Sequence, residues 1–334
     1  MRDYSAESGQ LRAICKGLLA SGAVELVLAW TSGPGLTGRE AMIAKGADQL
    51  IDRIVWSPFC TSSIATLIKR NRKALEGKNI GIVVKDCDRQ ALNVLLQEYV
   101  IKKENVVIIG VRCDGLASAL MFPDATMASK VVSDEKGVQV DGKEVAWEDF
   151  GFNACLSCRY DSMSADHVVG EYARKKQVTE LPHLKRLSGL SLSGRKEHFD
   201  ALFGRCIRCY ACREVCPVCA CIECAIDPGE SSITPRTTPL EKTSVAGWAC
   251  RGREPSENAV FLMTRAMHMA GRCVRCGWCE RACPAGIPLM ELLDIVNENV
   301  LRVYKYEAGK DPAAPPFLAS FSDDDPDDSG GAPH

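Results

Sequence analysis

Residues 206–217 read CIRCYACREVCP and residues 273–284 read CVRCGWCERACP. Both follow C-x2-C-x2-C-x3-C-P, and the repetition of so specific a spacing decides how the second half of the chain is organised. In this pattern the first three cysteines of each run hold one 4Fe–4S cubane and the fourth crosses to the other. One set is therefore Cys206, Cys209, Cys212 and Cys283; the other is Cys216, Cys273, Cys276 and Cys279. The short gaps let a loop wrap a cluster while its backbone N–H groups point at the sulfurs and offset the anionic charge. Four-cysteine zinc sites are the plain alternative, but zinc ordinarily takes paired C-x2-C units rather than triplets with a trailing Cys-Pro.

Directly after the first run, Cys219, Cys221 and Cys224 crowd into six residues, and Cys250 stands in the same insert. Three clustered thiols and one distant one add up to a further metal site, iron–sulfur or zinc, because exposed thiols packed so closely without metal are prone to oxidation. Four more cysteines lie upstream. Cys87 and Cys113 each follow a short apolar run, KNIGIVV and NVVIIG, and Cys155 and Cys158 form a C-x2-C pair. As parallel neighbours the two runs would carry their cysteines to one edge of a sheet, where ligands of such folds gather. With the C-x2-C pair they make a third set of four. Cys15, on the apolar face of the first helix, and Cys60 in SPFCTSS read as packed structural thiols.

The chain has 334 residues, enough for two domains. Alternating helical and strand patterns predict helices over 8–21 and 88–101, strands over 24–30, 78–84 and 105–110, and a hairpin over 130–147. Beyond them lie a helix over 257–271 with Ser256 as its N-cap and a last helix over 288–305. The fold class is α+β. An N-terminal α/β domain (1–170) with a mixed or partly parallel sheet leads through a linker (171–204) to a loop- and helix-rich dicluster domain (205–306). The latter carries a cysteine-rich insert (217–272), and the acidic tail 307–334 reads as disordered. The opening MRDYSAESGQLRA lacks the apolar core of a signal peptide, and no stretch approaches the ~18 apolar residues of a membrane span. Eighteen cysteines then point to a reducing, cytoplasmic setting, with metal rather than disulfides explaining them. A net charge of -2 and 6% aromatic residues leave no case for nucleic acid.

SGQLRAICKGLLASGAVELVL, the strand-end Cys87, IIGVRCDG and CLSCRYDSMSADHVVG resemble the β subunit of coenzyme F-420-reducing hydrogenase and formate dehydrogenase. Matching stretches span residues 8–30 and 79–171, and the C-terminal part is similar to two-cluster ferredoxin-type extensions fused to some members. The resemblance implies an FAD-bearing α/β subunit with one cubane on Cys87, Cys113, Cys155 and Cys158. It also implies electron passage between a catalytic subunit and a soluble carrier. One step departs from the family. Where it carries Gly-Thr-Pro-Cys-Gln, this chain has Lys85-Asp86-Cys87-Asp88-Arg89-Gln90, so a neutral turn has become charged.

GPGLTG at 33–38 formally fits G-x-G-x-x-G after a strand, which makes Gly33, Gly35 and Gly38 a candidate cofactor loop, although Pro34 removes one donor. It would feed a short helix over GREAMIAKGA. The histidines His167, His183, His198, His268 and His334 show no ligand spacing, although His268 leads into the second run. Arg208, Arg275 and Arg281 sit within the cluster runs, placed to shift potentials by charge or hydrogen bonding. The reading is an iron–sulfur electron-transfer subunit of a multisubunit anaerobic oxidoreductase, with FAD as a candidate second cofactor. Formate dehydrogenase, hydrogenase and heterodisulfide reductase assemblies are the natural settings. Substrate chemistry then lies on another chain, and the partners are catalytic and electron-accepting subunits, with ferredoxin or a soluble two-electron carrier. Two rivals stand beside it: a stand-alone ferredoxin-dependent flavin reductase of a small substrate, and a zinc-stabilised binding module.

Overall fold

The computed structural model describes residues 1–150, 152–174, 181–221, 224 and 255–321. Two apolar runs dictate the first half. Ile80–Val84 (β4) is buried at every position, and Val106–Val111 (β5) at all but one. Such unbroken runs suit parallel strands covered on both faces. They pair in parallel, from Ile80 opposite Val106 to Val84 opposite Gly110. Leu26–Ser32 (β2) joins β4 in parallel and His167–Val169 (β9) joins β5 in parallel. Gly38–Ala44 (β3) closes the other edge antiparallel to β2, giving the order β3-β2-β4-β5-β9. The sheet is mixed, as the sequence implies.

The expected helix over GREAMIAKGA is therefore strand β3. Its seven residues pair with all seven of β2, and that ladder overrides the helix preference of Ala, Met and Glu. The correction extends to Gly33, Gly35 and Gly38. Their loop turns a strand back on itself, and no helix N-terminus follows to hold a phosphate. These glycines have packing reasons instead: Gly35 adopts φ 63°, and a Cβ on Gly38 would press into Cys60 Sγ.

Helix Tyr4–Ser21 packs on the sheet, opened by Asp3 Oδ1 accepting from the Ser5 amide at 2.9 Å and closed by Gly22 at φ 75°. A second, antiparallel sheet runs Arg2–Asp3 (β1), Val131–Ser133 (β6), Gly137–Val140 (β7) and Lys143–Ala146 (β8). The predicted hairpin is thus a three-strand meander joined by the N-terminus. Arg2 is buried and ion-pairs with Glu7 at 2.6 Å and Asp114 at 2.9 Å, tying that sheet to the loop after β5.

The linker folds as helices Pro182–Ser188 and Leu192–Gly204, and the C-terminal part is built from Pro255–His268, Leu289–Tyr304 and two short helices described below. Pro255, rather than a cap at Ser256, opens the first of these. The two halves lock together: Lys69 Nζ donates to Arg213 O at 3.0 Å, Arg281 Nη2 to Thr61 O at 3.1 Å, and Arg272 pairs with Glu98. Of the tail expected to be disordered, the stretch around Gly309 and Asp311 instead packs on helix Asp86–Gln97, whose Asn93 and Gln97 amides donate to Gly309 O and Asp311 O, each at 2.7 Å, and Phe317 packs against Tyr304 and Tyr306. Residues 322–334 lie outside the described part, as does most of the insert. Among the described residues no helix is long and apolar enough to cross a membrane.

Candidate metal centres

The parallel pairing of β4 and β5 ends both strands at one edge. Cys87 falls in the first turn of helix Asp86–Gln97, and Cys113 lies two residues beyond β5. Asp86 ties the two ends together, its Oδ2 accepting from the Cys113 amide at 3.1 Å. Cys155 and Cys158 come from the short helix Asn153–Leu156 and the turn after it, where the Cys158 amide donates to Cys155 O at 3.3 Å. All four cysteines line one cavity, together with Cys276 of the second ferredoxin-type run. Burial pushes the Cys87 thiol well above its ordinary range, although the Lys85 ammonium pulls the other way.

The two C-x2-C-x2-C loops are conformational twins. Arg208 and Arg275 both adopt φ 55°, and Tyr210 and Gly277 adopt φ 58° and 66°, so each loop enters the left-handed region at the same two positions. For a side-chain-bearing residue this costs about 1–2 kcal/mol. Such turns direct successive N–H groups inward, as an anion nest does. The amides of Arg208 and Arg275 donate to Cys206 and Cys273, and that of Trp278 to Cys276. Each loop then enters a short helix, Ala211–Glu214 or Trp278–Arg281, and a turn that delivers Cys216 or Cys283.

The left-handed arginines are held from outside. Arg208 Nε donates to Asn258 Oδ1 at 2.9 Å, with its guanidinium 4.5 Å over the Phe261 ring. Arg275 pairs with Asp294 at 3.0 Å and Glu298 at 2.8 Å. Arg281 bonds Cys276 O at 2.9 Å and lies over Phe152.

Cys206, Cys209, Cys212 and Cys283 line one cavity walled by Phe261 and Leu289. Thus the last cysteine of the second run joins the first three of the first. In the reciprocal set, Cys216 acts electrostatically on Cys273, Cys276 and Cys279, which also act on one another. Burial pushes the Cys212 and Cys276 thiols up to about 11, and those of Cys273 and Cys279 further. Soft sulfur donors gathered in fours, most of them at least partly buried and those of the two loops met by backbone N–H groups, fit 4Fe–4S clusters. Among the described residues, no three His, Cys, Asp or Glu side chains converge closely enough to hold a single metal ion.

Cys219, Cys221 and Cys224 are not brought together with a fourth ligand in the described part, and Cys250 lies outside it. Cys219 Sγ sits 4.0 Å from Arg265 Nη1. Cys15 and Cys60 are packed in the core. His198 pairs with Glu291 at 2.6 Å and His183 with Asp294 at 2.9 Å, and neither joins a cysteine set. Arg265, a charge on the apolar side of an amphipathic helix that the sequence pattern did not single out, is buried and donates to Cys212 O at 2.7 Å.

For FAD, the charged turn offers no cradle. Lys85 is buried, its Nζ held by Asp88 Oδ2 at 2.7 Å and by Ser62 O beneath the Trp30 ring. With the glycine loop turned into a strand hairpin, neither place singled out for a flavin fits one.

The chain is similar to two curated proteins along almost all of its length. It is 23% identical to the F420-dependent formate dehydrogenase subunit beta of Methanocaldococcus jannaschii, covering 93% of this chain and 94% of that one. It is 27% identical to the F420-dependent formate dehydrogenase 1 subunit beta of Methanococcus maripaludis, covering 93% and 92%. No family model matches. A chain from the structure of the F420-reducing nickel–iron hydrogenase complex of Methanosarcina barkeri aligns at 14% identity and a TM-score of 0.39. It covers 59% of this chain and 86% of that one, and at that level the likeness carries no argument.

Proposed function

From the full-length likeness to formate dehydrogenase β subunits and the three gatherings of cysteine, we propose that the chain is an iron–sulfur electron-transfer subunit of an oxidoreductase complex. One observation carries the reading. Cys276 lines the same cavity as Cys87, Cys113, Cys155 and Cys158, interacts within its own set with Cys216, Cys273 and Cys279, and shares its run with Cys283, which lines the cavity of Cys206, Cys209 and Cys212. The set of Cys216, Cys273, Cys276 and Cys279 is thereby the link we assign between the upstream set and that of Cys206, Cys209, Cys212 and Cys283, and the three form one row in this reading. When bound, each cubane supplies a one-electron site in that row. The thiols hold the iron and the nest amides offset the charge on sulfur. The packed half-domains keep the sets adjacent, through Tyr160 Oη donating to Val274 O at 3.1 Å and Arg281 bridging to Thr61.

Cys209, which is exposed, brings the last set to the surface where a partner docks. A catalytic subunit carrying the substrate chemistry and an electron-accepting partner complete the assembly, in a reducing, cytoplasmic setting. FAD is assigned no step. Cys219, Cys221, Cys224 and Cys250 are a candidate fourth metal site.

Anaerobic purification with iron, sulfide, zinc and flavin counted per chain tests this. About twelve irons fit three cubanes and about sixteen a fourth, at four per cluster. About eight would remove the upstream set, and a colourless zinc protein would overturn the proposal. Reductase activity of the isolated chain on a small substrate would favour the self-contained enzyme.

A further inference from the structure

Arg265 lies on helix Pro255–His268, the segment that leads into the second cysteine run, and only 4% of its surface is exposed. Its Nη2 donates to Cys212 O at 2.7 Å and its Nη1 stands 4.0 Å from Cys219 Sγ. Its Nε, fully buried, has no hydrogen-bond partner among the described residues. Nor does any described carboxylate pair with it, whereas Arg272 has Glu98, and Arg275 has Asp294 and Glu298. A buried guanidinium without a counter-charge is strongly disfavoured, so something in the holo protein must neutralise it. Burial works against its charge, and the groups whose negative form favours it are Cys216, Cys212, Cys279 and Cys219, in that order, all of them thiolates once they hold iron. Cys212 belongs to one ferredoxin-type set, and Cys216 and Cys279 to the other.

We propose that Arg265 is the shared internal counter-ion of the two C-terminal cysteine sets, raising the reduction potentials of the cubanes they hold above what the thiolates alone would give. A cubane on four thiolates is anionic and becomes more so on taking up an electron. A fixed cation in a medium of low dielectric therefore favours the reduced form. No cysteine of the upstream set is among the groups acting most strongly on Arg265, so that set feels the effect least. This rests on the iron–sulfur reading above.

The test uses the full chain, purified anaerobically, with iron and sulfide counted before spectroelectrochemical titration followed by electron paramagnetic resonance. Absence of cubane signals in the unaltered protein would refute the iron–sulfur reading itself, before Arg265 is in question. With clusters present, Arg265→Met should shift the reduced-to-oxidised ratio of two cubanes at fixed potential by about tenfold or more towards the oxidised form. That corresponds to a fall of ~59 mV per one-electron couple. The third cubane should stay in place, and Arg265→Lys should restore most of the shift. Unmoved potentials with full iron content overturn the proposal, as do equal shifts in the Lys and Met variants. Should Arg265→Met shed iron that Arg265→Lys retains, the charge role stands. Iron lost equally from both would make the residue structural and refute it.

Discussion

Gly277 is the point at which the C-terminal cysteine loop touches the upstream cysteine helix, and it predicts how tightly the two are coupled. It adopts φ 66°, and a Cβ there would press into Ala154 Cβ, one residue before Cys155. Gly277→Ala meets two costs: about 1–2 kcal/mol for a side chain in the left-handed region and about 1–3 kcal/mol for the extra methyl in a packed contact. The expected destabilisation is about 2–5 kcal/mol. The twin position in the other loop, Tyr210 at φ 58°, shows that the backbone strain alone is tolerated. Ala154→Gly removes the group that the new methyl meets, at a cost of about 1 kcal/mol for glycine in a helix. The double variant should therefore recover about 1–3 kcal/mol relative to the sum of the singles. Anaerobic urea titration, read by circular dichroism and by cluster absorbance, gives all four corners of the cycle. Strict additivity, or a Gly277→Ala protein as stable as its parent, would refute the claim that these loops are in packed contact.

Asp88→Ala strands the buried Lys85 ammonium and should cost about 3–5 kcal/mol, most of it recovered by Lys85→Met in the same chain; urea unfolding reads both. Cys283→Ser should disturb the same electron paramagnetic resonance signal as Cys206→Ser, and Cys216→Ser the same signal as Cys273→Ser. Pairing by run rather than across runs would show that the fourth cysteines do not cross. Burial pushes the Cys60 and Cys15 thiols up to about 12, so neither should react with iodoacetamide at pH 8 until the chain is unfolded. Because the folded form keeps protons that the unfolded form releases, their contribution to stability holds below about pH 9 and is lost as pH rises towards 12. Mass mapping of the alkylated thiols checks the first statement and urea midpoints across that range the second.

The cluster loops were legible because their chemistry is local. Seven residues with a cysteine at every third position leave the backbone few ways to wrap a cluster, and that spacing led to the expectation that Cys283 joins Cys206, Cys209 and Cys212, with which it lines one cavity. The strand-end cysteines were legible for a related reason, since the unbroken apolar runs of β4 and β5 mark neighbouring buried strands. GREAMIA was misread because helix propensity is a small local term. Pairing with all seven residues of β2, a partner the window does not contain, outweighs it. The tail was misread around Gly309 and Asp311 because composition does not reveal that the two meet the amides of Asn93 and Gln97. The sequence by itself supplied the expectation of which cysteines form sets, because ligand spacing is set by the covalent chain. Only the tertiary structure brought Cys276 into the cavity of the strand-end cysteines and set Arg265 beside Cys212 and Cys219. Both are distances between segments far apart in sequence, settled by packing that no local pattern encodes.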